Sequence, residues 1–157
     1  MFGFKGIHHI GISVPSLSAA KAFYVDKLGF TLLDESHFPP SEEGDKVLRL
    51  NQADSHVLML RAGNLFLEVF EFQHPEPAVQ HDRPVSDHGY THFAMEVEDV
   101  HKAYDYLQAA GVQWHHTPIE AGEGYLMTYG RDPFGNVIEI QQLVDGYTFS
   151  FDQIQPG

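Results

Sequence analysis

Two histidines and two glutamates recur in this chain at matching places. "IHHIGISV" at 7–14 carries His9, and "YTHFAMEVEDV" at 90–100 carries His92. Two further apolar runs, "GNLFLE" and "GNVIE", end on Glu68 and Glu139, with one residue of slip between them. Each half thus offers one imidazole from its first run and one carboxylate from its last. If two sheets curve around a shared cavity, all four side chains converge there. Such nitrogen and oxygen donors suit a divalent first-row metal (Zn²⁺, Ni²⁺, Mn²⁺, Co²⁺ or Fe²⁺), with bonds of roughly 2.0–2.2 Å for zinc. A lone strand-start histidine or a lone glutamate is as readily a solvated side chain. That account weakens when all four recur in the same order.

The elements that must position them follow from the hydrophobic period. Residues 7–14 alternate as a strand does, with Ile10, Ile12 and Val14 on one face and His9, Gly11 and Ser13 on the other. "SLSAAKAFYVDKLG" then spaces Leu17, Ala20, Tyr24 and Leu28 as a helix does, with Ser16 as N-cap and Gly29 as stop. "FTLLDESHF" reads as a strand, "PPSEEGDKVLRLNQAD" as a loop with a short helical turn. "HVLMLRAG" and "NLFLEVFEF" are two strands joined by a Gly-Asn turn. The second half repeats β-α-β-β-β. "THFAMEV" is a strand with His92 opposite Phe93, Met95 and Val97, and "DVHKAYDYLQAAG" is a helix burying Val100, Ala103, Tyr104 and Leu107. "VQWHHTPI", "GYLMTYGRD" and "NVIEIQQLV" are three more strands, the last two linked by the turn "DPFGN". The expected organisation is one domain over 1–157: a first module at 5–74, a connector at 75–89, a second module at 90–145 and a tail at 146–157. Neither module buries its own sheet, so the two are expected to pack together.

Composition narrows the partners. Asp and Glu outnumber Lys and Arg by 22 to 9, a formal charge of −13 that repels nucleic acid and anionic membrane surfaces. No apolar run approaches the roughly 20 residues of a membrane-spanning helix. The N-terminus has no basic start followed by a long apolar core, so no export signal is read and a cytoplasmic location is expected. There is no cysteine, which excludes disulfides, thiolate ligands and thiol nucleophiles. Eleven histidines make metal or acid–base chemistry the natural place to look.

The segments "HHIGISVPSLSAAKAFYVDKLGF", "LFLEVFEF", "THFAMEVEDV" and "GRDPFGNVIEI" resemble the vicinal oxygen chelate superfamily over roughly residues 5–145. That superfamily includes glyoxalases, methylmalonyl-CoA epimerases, extradiol dioxygenases, and fosfomycin- and bleomycin-resistance proteins. The resemblance implies an α+β fold of two tandem βαβββ modules forming a curved mixed sheet around a metal-containing cavity. It also implies His9, Glu68, His92 and Glu139 as ligands of one divalent metal. In "HHI" the implied ligand is the histidine before the Ile, His9, and strand parity agrees; His8 is read as structural.

Fold does not decide reaction. With both glutamates present, the resemblance implies a glyoxalase-type lyase or isomerase acting on a small oxygenated substrate. Glu68 or Glu139 would be the base that moves a proton beside a carbonyl. An anionic thioester carrier would have to find its contacts among few basic residues, of which Arg49, Arg61, Arg83 and Arg131 are candidates. The alternative is an extradiol-type dioxygenase using His9, His92 and Glu139 as an iron triad, with Tyr129, ten residues before Glu139, as a catalytic group. The extra histidine of that class has no match, since the residue 15 before His92 is Pro77; His74, His81, His88, His115 and His116 remain open. The third reading is a drug-binding protein without catalysis, its cleft lined by Phe66, Phe70, Phe72, Met127 and Tyr129. A homodimer is expected, because sheets of this kind need their edges covered.

Overall fold

A computed structural model describes residues 3, 5–78 and 83–153; the proposed connector, His81 and the tail therefore lie partly or wholly outside the described residues. The chain divides into two compact units, 1–79 and 80–157, each described by itself.

In the first unit, β1 (His9–Ser13) leads into α1 (Leu17–Ala20), which widens into a π-helical turn over Lys21–Val25. Then come β2 (Thr31–Phe38), α2 (Glu42–Leu48), β3 (Asp54–Ala62) and β4 (Leu65–His74). The sheet order is β1-β4-β3-β2, with β1 parallel to β4 and the other neighbours antiparallel. The alternation of β1 does what its pattern predicts. Ile12 and Val14 are buried beside Leu17, Ala20, Phe23 and Tyr24 of the helix, and His9, Gly11 and Ser13 stay on the open face. Ser16 caps α1 by accepting from Ala19 N, and Gly29 leaves the helical segment at φ +74, where a side chain would be strained.

In the second unit, β5 (Phe93–Glu96) precedes α3 (Val100–Ala109), capped by Asp99. β6 (Gln113–Trp114), β7 (Ile119–Glu120), β8 (Tyr125–Arg131) and β9 (Val137–Leu143) complete the sheet, and a 3₁₀ turn covers Phe151–Gln153. The order is β5-β9-β8-β6 with β7 also on β8, and β5 again runs parallel to the last strand. "VQWHHTPI" was expected as a single strand, but it forms two short pieces. Paired positions end at Trp114 and resume at Ile119 with the register on β8 shifted by two residues, and Pro118, within the break, has no N–H to give the ladder. The turn "DPFGN" is organised by buried Asp132, whose Oδ1 accepts from Phe134 N and Asn136 N, both at 2.9 Å.

The helices of the two units are fastened to their last strands in one way. Glu71 of β4 accepts from Leu17 N at 2.7 Å, and Gln142 of β9 accepts from Val100 N at 2.9 Å. Both acceptors lie three residues after the recurring glutamate, and both donors are the first N–H of the helix, a group with no partner inside the helix. The fold is α+β, a pair of βαβββ modules each with its own mixed sheet. Among the described residues no helix is long and apolar enough to cross a membrane.

Candidate metal centre

The parallel pairing of first and last strand brings each histidine to its glutamate. Gly11 stands opposite Glu68, and Ala94 stands opposite Glu139. His9 and His92 precede those partners by two residues, so each is the diagonal neighbour of its glutamate on one sheet face. The slip between "GNLFLE" and "GNVIE" is therefore confined to the turns, and the ladder register of His to Glu is the same in both units.

His9 Nε2 lies 3.4 Å from Glu68 Oε2, and His92 Nε2 lies 3.0 Å from Glu139 Oε2. Two donors each about 2.1 Å from one ion stand roughly 3.0 Å apart at a right angle and about 3.4 Å apart at a tetrahedral one. Each pair has the atoms and the spacing to be two ligands of such an ion. Among the described residues, no three His, Asp or Glu side chains gather into a group that could hold one alone.

The pairs differ in their surroundings. His9 and Glu68 are open, with side chains 42% and 22% exposed, while His92 and Glu139 are 26% and 4% exposed. Tyr125 O–H donates to Glu139 Oε1 at 2.6 Å. With His92 against Oε2, both oxygens of Glu139 are engaged. Tyr129, directly across the ladder from Glu139, brings its hydroxyl to 3.4 Å from His92 Nε2 and its ring edge-on to the imidazole. Burial first, and then the Glu139 carboxylate, raise both phenols above the ordinary 10.0, Tyr129 to about 12. Both therefore remain protonated donors at neutral pH. In the first unit the positions matching Tyr125 and Tyr129 are Ser55 and Met59, so no phenol stands against Glu68.

Tyr125 was not among the residues expected to act. Its signal was its parity with Tyr129, two residues either side of Met127 on one strand. Of the other candidates, Arg131 donates to Gly135 O at 2.8 Å and Arg83 O at 2.7 Å, and Arg83 itself donates to His88 O at 2.7 Å. Arg61 shares a sheet face with Glu68 and is exposed, whereas Arg49 ends α2 at φ 55. Phe70 and Phe72 stack at 5.4 Å on the Glu68 face. His115 and His116 are at the break between β6 and β7, where their main chain bonds to β8.

Paired modules whose first strand lies parallel to the last, each presenting a His–Glu pair, define the class of protein. The sequence profile of the glyoxalase/bleomycin resistance protein/dioxygenase superfamily matches residues 6–140, and the chain belongs to that family. It is 30% identical over 142 residues to YaeR of Escherichia coli K12, covering 90% of this chain and 99% of the relative. It is also 30% identical over 161 residues to a 2-epi-5-epi-valiolone epimerase of Actinomyces, covering 94% of this chain and 84% of that protein. A glyoxalase family protein of Bacillus cereus superposes with a TM-score of 0.80 at 22% identity, covering 92% of this chain and 99% of its own.

Proposed function

We propose that the protein is a metal-dependent lyase or isomerase of glyoxalase type, located in the cytoplasm and acting on a small oxygenated substrate. His9, Glu68, His92 and Glu139 together would ligate one divalent ion. The observation that carries this reading is the identical His–Glu register in the two units, with donor spacings of 3.4 and 3.0 Å. Similarity to an epimerase supports the same class of chemistry, proton transfer at carbon. A bound divalent ion supplies Lewis acidity, drawing electrons from a carbonyl and making the neighbouring C–H acidic.

The chain's own residues divide the remaining work unequally. Glu139 is buried and engaged at both oxygens, which suits a carboxylate that stays in place. Glu68 is more exposed and faces no phenol, so it is the carboxylate able to take the proton and return it. Tyr125 fixes Glu139, and Tyr129 packs edge-on against His92. Arg83 and Arg131 are turned toward main-chain carbonyls, and the charge is −13. Both facts favour a substrate without an anionic carrier, with exposed Arg61 on the Glu68 face available to a single acidic group.

Metal content of protein purified without added metal, followed by turnover of Glu68→Gln and Glu139→Gln, tests the assignment. Glu68→Gln loses about 10² to 10⁴ in rate and holds the metal more weakly. Glu139→Gln loses the metal as well. An inert Glu68→Gln with a crippled Tyr129→Phe would instead select the ring-cleaving dioxygenase, which the contact of Tyr129 with His92 favours as second reading. Assays on methylglyoxal hemithioacetal, on cyclic polyol epimers and on catechols separate the two.

A further inference from the structure

The residue before each recurring histidine is bonded to that histidine's ring, and at the same nitrogen. His8 Nδ1 lies 2.9 Å from His9 Nδ1, and Thr91 Oγ1 lies 2.9 Å from His92 Nδ1. In both rings Nε2 faces the glutamate, and at His92 the Tyr129 hydroxyl stands 3.4 Å from the same nitrogen. His8 is itself held, with its ring 4.9 Å from that of Phe66 and its carbonyl accepting from Phe66 N. An imidazole and a hydroxyl thus occupy one place in the repeat. What they share is the capacity either to donate or to accept a hydrogen bond.

That capacity matches what the two histidines require. Against a carboxylate alone, Nε2 carries the proton and Nδ1, holding the lone pair, needs a donor. Against a cation, Nε2 gives up its lone pair and the ring proton sits on Nδ1, which then needs an acceptor. Thr91 meets both states by turning its hydroxyl, and His8 by exchanging its own tautomer. A neighbour able only to donate or only to accept would serve one state and oppose the other.

We propose that His8 and Thr91 are positioning residues. They hold the ring planes of His9 and His92 and follow the tautomer change between metal-free and metal-bound protein. The second part rests on the reading of His9 and His92 as ligands.

Long-range proton–nitrogen NMR of the full-length ¹⁵N-labelled chain reads each tautomer directly. Spectra would be taken first on metal-free protein at mildly alkaline pH, then with zinc as probe. In the parent protein both rings carry the proton on Nε2 before zinc and on Nδ1 after it. His8→Phe, which keeps a ring against Phe66, mixes the tautomers of His9 and leaves His92 unchanged; Thr91→Val does the reverse. Thr91→Ser behaves as the parent. Zinc affinity, from competition with a chelating dye, falls about tenfold or more in His8→Phe and Thr91→Val. Pure tautomers and parental zinc affinity in both variants overturn the proposal, as does equal disturbance of both rings by either one. If zinc moves neither ring of the parent, the ligand reading fails and the tautomer change fails with it. The metal-free comparison then still decides whether His8 and Thr91 hold the rings.

Discussion

At the scale of single residues, two phenols make the otherwise matched glutamates unlike. Tyr125 was not legible as a partner of Glu139, because fourteen residues of separation carry no meaning until the β8–β9 hairpin sets the register. Tyr129 was legible through its spacing, though as an oxygenase group rather than as a neighbour of His92. Both lie next to a carboxylate with limited access to water, and burial is the larger reason that their protons are held. An unfolded chain gives up phenol protons near pH 10, and the folded one keeps Tyr129's until about 12. The folded state therefore binds more protons across that window. The stability this contributes is whole below about pH 10 and is lost as pH rises through about 12. Urea unfolding of metal-free protein should show a midpoint that falls between about pH 9.5 and 11.5. The fall should be shallower in Tyr125→Phe combined with Tyr129→Phe. An equal slope in the double variant would mean that these phenols are not the groups retaining protons.

At the scale of elements, the repeat extends beyond the ligands to the way each helix is fastened. Glu71 and Gln142 each satisfy the first N–H of the helix that follows the histidine strand, which links the tilt of α1 and α3 to β4 and β9. Glu71→Ala and Gln142→Ala should each lower unfolding free energy by about 1 kcal/mol, a typical loss for a side chain that satisfies a helix start. The check is a denaturant midpoint that shifts while the m-value does not. Metal content should be unchanged, since neither side chain touches His9, Glu68, His92 or Glu139. Strand alternation made β1, β3, β4 and β9 readable, because period two is strong wherever one face packs on a helix. Ser16 and Gly29 were readable for the same kind of local reason. The division of "VQWHHTPI" was not, although Pro118 marks it: the register on β8 shifts by two residues between Trp114 and Ile119, and an alternating pattern does not show such a shift. The recurrence of the two His–Glu pairs was readable with one residue of slip, and the ladder places that slip in the turns.

At the scale of the molecule, each unit has a sheet with edge strands, and exposed apolar side chains lie at the edges of the first. β1 and β2 are the edges of the first sheet. Leu33 and Phe38 on β2 are 47% and 55% exposed, and Ile7, just before β1, is 76% exposed. Val47 on α2, the helix that follows β2, is 84% exposed and α2 buries no residue. Large exposed apolar side chains, with strand edges that are unpaired among the described residues of this unit, favour association, and a second copy of the chain is the partner always present at matching concentration. The expected species is a homodimer of twice the chain's 17.7 kDa. Sedimentation at micromolar concentration should find it, and Phe38→Glu together with Val47→Glu should shift the equilibrium toward the single chain without altering the circular dichroism spectrum. A parent protein that sediments as a 17.7 kDa species would rule out the dimer. A charged double variant that still dimerises would move the interface away from β2 and α2. Zinc uptake by the single-chain form then shows whether one copy supplies all four ligands. Retained binding assigns His9, Glu68, His92 and Glu139 to one chain, and loss that recovers with concentration assigns the ion to a site completed by the second copy.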